Sequence, residues 1–217
     1  MSLSVEHTLR REEIYAALKR DILSCACPPG AALFEGMLAD RFGVSKSPIR
    51  DALSRLAAER LVIVEPRKGY RVAPVSIADA AELFAFRALL EPVCVQSAAE
   101  NASDVALAAL DRFRSYGAWS DFVTYNREFH LTLLGLCPNK RMRGVAKELT
   151  AQFDRLVITG LRDAADRNHD ALVAEHCAII DAVQARDGRT AGKLIAKHIE
   201  RAEKRVMKAL SAAPVVP

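Results

Sequence analysis

The strand pattern of this chain is confined to two short runs. Residues 61–64 and 70–75 are rich in β-prone side chains, and the five residues between them include Pro66 and Gly69, which favour a turn. From Ser76 onward the apolar residues recur at helical spacing instead. The sequence therefore predicts a mostly α-helical protein in which one β-hairpin lies in the first third of the chain.

Three helices are predicted before the hairpin. Their patterns cover residues 9–24, residues 35–42 and a third span that begins at 45–48. Gly43 closes the second helix in a tight turn, and Pro48 suits the first turn of the third, where a backbone N–H would lack a helical partner. A helix, a helix–turn–helix and a hairpin in this order are typical of a winged helix-turn-helix. Residues 1–75 are therefore predicted to form a DNA-binding domain.

The third helix has an apolar face and a polar face. Its inward positions are Ile49, Ala52, Leu53 and Leu56. The outward candidates for DNA contact at its N-terminal end are Ser45, Lys46, Ser47 and Arg50. A helix of this kind fits the major groove of duplex DNA. We expect Arg50 to form two hydrogen bonds with a guanine, and Lys46 and Ser47 to hold the phosphate backbone.

Positive charge is concentrated at this helix and at the hairpin. Residues 41–55 contain four basic residues and one acidic residue, and residues 60–71 contain the same numbers. Two such clusters indicate a docking surface for a polyanion, although a solvated charged face would explain either one alone. At the hairpin tip the candidate contacts are Arg67, Lys68 and Gly69, where glycine permits close approach to the minor groove or the backbone.

Residues 76–217 are predicted to form a second, all-helical domain. Its helical patterns cover residues 77–100, 103–115, 119–136, 140–164, 169–187 and 189–211. No apolar run approaches the ~18 residues that a membrane span needs. The charged segment MSLSVEHTLRREE is also unlike a secretory signal. We therefore expect a cytoplasmic protein that does not associate with membranes.

Three of the five histidines lie on apolar faces of separate predicted helices, namely His130, His176 and His198. Asn126 precedes His130 by four residues and so shares its face. One such histidine is usually a core residue with a satisfied hydrogen bond, but three converging imidazoles can form a metal site with open positions. Arg87 lies four residues before Glu91, a spacing that also suits an ordinary ion pair within one helix.

The run LADRFGVSKSPIRDALSRLAAERLVIVEPRKGYRVAPV resembles the winged helix of the GntR family of bacterial regulators. The positions that agree with the family pattern are Leu38-Ala39, Gly43-Val44-Ser45, Pro48, Arg50, Ala52-Leu53, Leu56 and Gly69. Lys46 and Asp51 replace an arginine and a glutamate of that pattern, whereas Gly36 and Met37 stand where polar residues are usual. The resemblance implies a homodimer that binds a pseudo-palindrome in double-stranded operator DNA, one half-site per subunit.

The second domain is similar to the FCD effector domain of the FadR subfamily. The matching features are Arg87 with Glu91, Asn126-Arg-Glu-Phe-His130, Glu175-His176, and Asp187 with His198-Ile199. In metal-containing members of that subfamily an aspartate and three histidines hold a divalent ion. The resemblance implies that Asn126 and the three histidines bind Zn, Ni, Mn or Fe, and that Arg87 grips the carboxylate of an organic acid. The compact length favours the VanR-like branch, which has six helices in this domain.

Asn126 departs from the family pattern, which has aspartate at this position. Its carbonyl oxygen can still bind a metal, but the site loses one negative charge, and this weakens the binding of a divalent ion. A metal-free pocket that uses the same histidines as hydrogen-bonding groups is therefore an alternative.

Together these features predict a ligand-responsive transcriptional regulator, by resemblance a repressor, that is not an enzyme. A metal-dependent hydrolase is a second interpretation, since three histidines could activate water, but no carboxylate is clearly placed as a general base. A non-specific architectural DNA binder is a third, and it would not need a buried polar pocket. The sequence leaves the effector, the operator and the metal open.

Overall fold

The computed structural model describes residues 2–119, 121–162 and 169–212. The chain folds into two compact units, Met1–Val75 and Ser76–Pro217. The fold is mostly helical with a small sheet in the first unit, so the predicted fold class is confirmed. No helix within the described ranges has both the length and the apolar character needed to cross a membrane.

The first unit is built on three helices. Their bounds are Ser2–Leu23 for α1, Glu35–Phe42 for α2 and Lys46–Ala58 for α3. The apolar face that the spacing predicts for α3 is buried, with Ile49, Leu53 and Leu56 fully inaccessible to solvent. Helix α2 ends at Gly43, whose φ of 62° lies in the left-handed region that favours glycine. The turn between α2 and α3 is therefore tight, as a helix–turn–helix requires.

The predicted hairpin is part of a three-stranded antiparallel sheet. Its strands are Ala32–Leu33 (β1), Val62–Glu65 (β2) and Gly69–Val72 (β3), in the order β1-β3-β2. Strand β1 is absent from the sequence prediction because two residues are too few to show an alternating pattern. The turn from β2 to β3 brings Glu65 opposite Gly69, and Arg67 within it has a φ of 65°.

The second unit contains six α-helices and one 3₁₀ helix in the described ranges. The bounds are α4 Ile77–Asn101, α5 Asp104–Ala108, the 3₁₀ helix Ala109–Phe113, α6 Phe122–Gly135, α7 Lys140–Arg162, α8 His169–Gln184 and α9 Gly188–Ala212. The helix predicted over 103–115 is therefore two shorter segments, and the one predicted from 119 begins at Phe122, capped by Asp121. Residues 163 and 164 of the span predicted over 140–164 lie outside the described residues.

Helices α4 and α9 pack closely because glycine faces α4 at two positions. A Cβ atom at Gly188 would lie 2.9 Å from the backbone oxygen of Gln96, and one at Gly192 would lie 3.3 Å from that of Pro92. Both distances are shorter than an ordinary contact between a side chain and a backbone atom. The absence of a side chain at these two positions therefore permits the close packing of α4, which carries Arg87, against α9, which carries His198.

Candidate functional site

The exposed face of α3 carries the residues that the sequence proposes for DNA contact. Ser45, Lys46, Ser47 and Arg50 are all exposed. Ser45 occupies the N-cap position with extended backbone, but its side chain accepts no capping hydrogen bond. Its hydroxyl therefore remains available to a ligand.

Arg50 is held in place by a carboxylate from the preceding helix. Its Nε lies 2.9 and 2.7 Å from the two oxygens of Glu35, and its side chain is 61% exposed. These hydrogen bonds engage one nitrogen of the guanidinium and leave the two terminal nitrogens for another partner. Two parallel N–H donors at the end of an arginine match O6 and N7 of guanine.

Some cations of the first unit have carboxylate partners, and others do not. Within the described part of the chain, ion pairs join Lys19 to Glu59, Arg41 to Asp21, Arg55 to Glu12 and Arg71 to Glu65. No such pair in that part of the chain involves Lys46, Arg67 or Lys68, and all three are exposed. Positive charge without a carboxylate partner is therefore present at the start of α3 and at the hairpin tip, where Gly69 has a φ of 95°.

In the second unit, His130 on α6, His176 on α8 and His198 on α9 converge in the core. One ring nitrogen of each can be chosen so that all three lie within 4.8 Å of one another. All three side chains are buried, and so is Asn126, which lies one turn before His130 on α6. The structure thus brings together the three histidines that the sequence selects. His169 lies outside this group and stacks on Phe122.

Hydrogen bonds fix which nitrogen of His176 and His198 carries the proton. His198 Nδ1 lies 2.7 Å from Glu175 Oε2, which can only accept while it is ionised, so Nδ1 donates. Tyr125 donates its single hydroxyl hydrogen to the carbonyl of Phe113 at 2.8 Å. The tyrosine oxygen must therefore accept from His176 Nδ1, which lies 3.0 Å away. In both rings the free lone pair is on Nε2.

His130 also has a carboxylate beside its Nδ1 nitrogen. Its Nδ1 lies 3.2 Å from Glu91 Oε2, and its Nε2 has no hydrogen-bond partner within the described residues. The Nε2 of His176 is likewise buried and without a partner there. Metal-binding histidines typically donate the other ring N–H to a carboxylate or another acceptor. The donor set of this site therefore fits a divalent metal ion.

Burial keeps the three imidazoles neutral. It lowers the pKa of His130 to about 4, lowers that of His176 well below its ordinary value, and lowers that of His198 against the opposing effect of Glu175. Burial by itself would raise the pKa of Glu91, but the charge of Arg87 and the contact with His130 bring it below its ordinary value. The pocket thus combines neutral imidazoles with an ionised carboxylate.

Arg87 on α4 is fully buried beside this cluster. It forms the intrahelical ion pair with Glu91, which is the alternative that the spacing suggested. Its Nη2 is also 3.5 Å from His130 Nδ1, and its guanidinium carbon lies 3.8 Å from the centre of the Phe153 ring. Its Nη1 has no hydrogen-bond partner in the part of the chain that the structure describes. A buried charged donor without a partner is costly, and a carboxylate from a bound ligand would satisfy it.

Sequence reasoning did not assign a role to Tyr125 or to the carboxylates of Glu91 and Glu175 at the back of the rings. Glu175 directly precedes His176 in sequence, yet it accepts the proton of His198 on the next helix. Tyr125 is fully buried on the apolar face of α6, where its spacing suggests only a core residue. The hydroxyl of a buried tyrosine needs a hydrogen-bond partner, and this requirement could have indicated from the sequence that Tyr125 contacts a polar group.

Two family models together cover most of the chain. The model of the bacterial regulatory proteins of the gntR family matches residues 10–72, and the FCD domain model matches residues 82–201. The second match alone spans more than half of the chain. It contains Arg87, Asn126 and the three histidines.

Relatives and solved structures agree with these matches. The transcriptional repressor GlaR of Escherichia coli K12 is 30% identical over 85% of this chain and 90% of its own length, and the repressor RspR of the same strain is 25% identical over 87% and 85%. McbR/YncC of E. coli has the same fold, with a TM-score of 0.78 at 21% identity over 92% of this chain and 97% of that one. A transcriptional regulator GntR from Rhodococcus sp. RHA1 aligns with a TM-score of 0.74 at 24% identity over 94% and 99%. The chain therefore belongs to the GntR family of helix-turn-helix transcriptional regulators and carries the FCD domain of its FadR-like subfamily.

Proposed function

We propose that this regulator binds operator DNA as a cytoplasmic homodimer and releases it when a small carboxylate metabolite enters the histidine pocket. The observation that carries the proposal is the buried Nη1 of Arg87, which has no partner in the described residues and lies beside the three imidazoles. A pocket that already contained all its partners would not leave a charged donor unsatisfied.

On DNA, each subunit places α3 in the major groove. Arg50 reads a guanine with its two terminal nitrogens while Glu35 holds its Nε. Lys46 and the hydroxyls of Ser45 and Ser47 bind the phosphate backbone near the N-terminus of α3, where the helix dipole favours anions. The hairpin tip, Arg67–Lys68–Gly69, lies along the flank of the duplex as a wing.

In the effector unit, His130, His176 and His198 hold a divalent ion, with the side-chain oxygen of Asn126 as a further ligand. The ion, when bound, supplies a positive centre for a ligand oxygen. Arg87 orients the ligand by pairing its Nη1 with the carboxylate. By accepting from Nδ1, Tyr125 and Glu175 would leave the Nε2 lone pairs of His176 and His198 free for the ion, and Glu91 lies beside Nδ1 of His130.

The ligand must bind the DNA-competent and DNA-incompetent arrangements with different affinities, because otherwise it shifts no equilibrium. Repression as the sense of regulation is supported by two relatives, GlaR and RspR, which are named transcriptional repressors. In this proposal the effector unit binds the ligand, and the winged unit binds the operator DNA.

A homodimer is supported by an apolar stripe on α4. Phe86, Leu89 and Val93 are 46%, 74% and 54% exposed and lie at positions i, i+3 and i+7 of the helix. Contiguous exposed apolar residues mark interaction surfaces. A straight stripe along one helix can pack against its own copy around a two-fold axis, and a pseudo-palindromic operator requires that symmetry.

The reading role of Arg50 is tested with an operator selected from a random duplex library. Arg50→Ala should weaken binding to that operator by about 1–3 kcal/mol, roughly 5- to 150-fold, and relax the preference at one base pair. Binding to unrelated duplex should change little, and Lys197→Ala, an exposed lysine on α9, should change neither. Fluorescence anisotropy against both duplexes gives the comparison.

The same measurement separates this function from its rival. An architectural DNA binder would bind the selected and unrelated duplexes equally well. Unchanged operator affinity for Arg50→Ala would show that this arginine does not read a base.

A further inference from the structure

A groove lies between α6 and α7, formed by residues outside the histidine cluster. Its volume is about 420 Å³. The residues that line it are Leu131, Thr132, Leu134 and Gly135 on α6 and Lys140, Arg143, Gly144 and Lys147 on α7. Small-molecule sites in proteins typically occupy about 300–1,000 Å³. The groove is therefore large enough for a metabolite.

The α7 side of the groove carries only positive charge. Lys140, Arg143 and Lys147 lie at positions i, i+3 and i+7 and so share one face of the helix. The segment 139–147 has four basic residues and no acidic residue, and none of the lining residues is a carboxylate. Among the described residues, no ion pair joins these three cations to a carboxylate. Their charge is thus available to a bound anion.

Two side chains on the groove walls are already anchored. Arg143 donates one terminal nitrogen to the carbonyl of Cys137 at 3.1 Å, which restrains its guanidinium. Thr132 Oγ1 accepts from Arg112 at 2.9 Å, so its own hydroxyl hydrogen remains available to a ligand. The first N–H groups of α7 are occupied, because Asn139 Oδ1 accepts from Arg141 at 3.1 Å. Binding here would therefore depend on the cationic side chains and not on the end of the helix.

Gly144 is the second observation that points to a ligand. It lies inside α7, where glycine costs about 1 kcal/mol relative to alanine. A Cβ atom there would meet nothing within 4 Å, and the same is true of Gly135 at the end of α6. Packing explains the glycine at position 188, which touches α4, but it does not explain Gly144. Gly144 lines the groove, so a side chain at this position would occupy part of its space.

We propose that this groove binds a phosphorylated small molecule with several negative charges. Lysine is a strong phosphate binder as a point charge, and arginine adds a forked donor. Lys140 and Lys147 are about 10 Å apart along the helix axis, which matches a diphosphate together with the body that carries it. Leu131 and Leu134 offer an apolar wall for that body.

The test uses the full chain in buffer without divalent ions, so that it is independent of the histidine site and of operator binding. Isothermal titration calorimetry should show binding of inorganic pyrophosphate and tighter binding of ADP, which also has a body for the apolar wall. Lys140→Met and Lys147→Met should each weaken ADP binding about tenfold, because each removes a charge-assisted hydrogen bond. Lys193→Met and Lys197→Met, at exposed lysines of α9, are the matched controls and should change nothing.

Gly144→Leu tests the groove without changing its charge. Leucine suits a helix, so the fold should be kept while the cavity is filled, and ADP affinity should fall at least tenfold. No heat of binding at millimolar ADP and pyrophosphate would overturn the proposal, as would equal ADP affinity in Gly144→Leu. If ADP does not bind but the two lysine variants lose affinity for unrelated duplex DNA, the cationic face is a nucleic-acid surface and the proposal is wrong.

Discussion

The three buried histidines expose the same nitrogen to the pocket, although the groups behind them differ. Glu175 accepts from His198 as a carboxylate, and Tyr125 accepts from His176 because its own hydrogen is used elsewhere. Glu91 Oε2 lies 3.2 Å from Nδ1 of His130. Helical spacing on apolar faces was enough to identify the histidines from sequence. It was not enough to identify these acceptors, since the contacts with His130, His176 and His198 each cross between two helices.

Arg50 illustrates the same limit in the winged unit. The apolar face of α3 predicts that this arginine is exposed, and it is. Its ion pair with Glu35 joins residues 15 positions apart, on two helices whose relative placement depends on the turn at Gly43. Spacing predicts which face a side chain occupies, whereas the partner it contacts follows from tertiary packing.

At the residue level, His176→Ala should remove metal binding. Removing one of three imidazole donors from the pocket leaves too few protein ligands for tight binding. The protein is loaded with zinc or nickel, desalted and measured by elemental analysis, and a thermal-shift screen of organic acids reports the effector response. Both the bound metal and the stabilisation by acids should be lost.

His169→Ala is the matched control for this substitution, because His169 is half-buried and lies outside the cluster. Its metal content should equal that of the wild-type chain, and circular dichroism should show both variants folded. Unchanged metal stoichiometry in His176→Ala would refute its assignment as a ligand. A wild-type chain that retains no ion after loading would favour the metal-free pocket.

The start of a helix can be predicted from sequence where an N-cap side chain accepts a hydrogen bond from the first turn. Ser76 Oγ accepts from the N–H of Asp79 at 2.9 Å, and the predicted start of α4 is correct within a residue. The helix predicted over 103–115 is instead α5 followed by a 3₁₀ helix. Leu107, Leu110 and Phe113 are buried at intervals of three residues, a spacing that places side chains on one face of either kind of helix and so could not distinguish them.

At the element level, Gly188→Ala should lower the free energy of unfolding by about 1–3 kcal/mol, because the new methyl group would press on the backbone of α4. Gly144→Ala should raise it by about 1 kcal/mol, since that position is open and alanine favours a helix. Urea denaturation followed by circular dichroism measures both. Equal stability changes of the same sign would contradict the packing explanation.

For the whole molecule, the division into a winged unit and an all-helical unit could be predicted because strand signals stop before Ser76. Family membership could also be predicted, since the matching positions of the first unit form a continuous pattern. The groove between α6 and α7 could not be predicted, because it depends on the distance between two helix faces. Open space leaves no periodic signal in a sequence.

At this scale, Leu89→Glu should convert the proposed dimer to a monomer, because it places a charge in the middle of the apolar stripe on α4. Sedimentation velocity measures the mass directly, and operator affinity should fall with it as two linked half-sites become one. Val105→Glu is the matched control, since Val105 is 84% exposed on α5, outside the stripe. A Leu89→Glu protein that sediments as a dimer would show that subunits meet elsewhere.

Helix α4 connects the two units through the backbone. It begins at Ile77, so Ser76 is the single residue between it and the end of the winged unit at Val75. The helix has 25 residues and is therefore about 37 Å long. Glu91 directly precedes the internal Pro92. Proline has no backbone N–H, so one helical hydrogen bond is missing there and the helix bends more easily. The helix therefore bends most easily next to the buried histidine cluster, at the residue that follows Glu91.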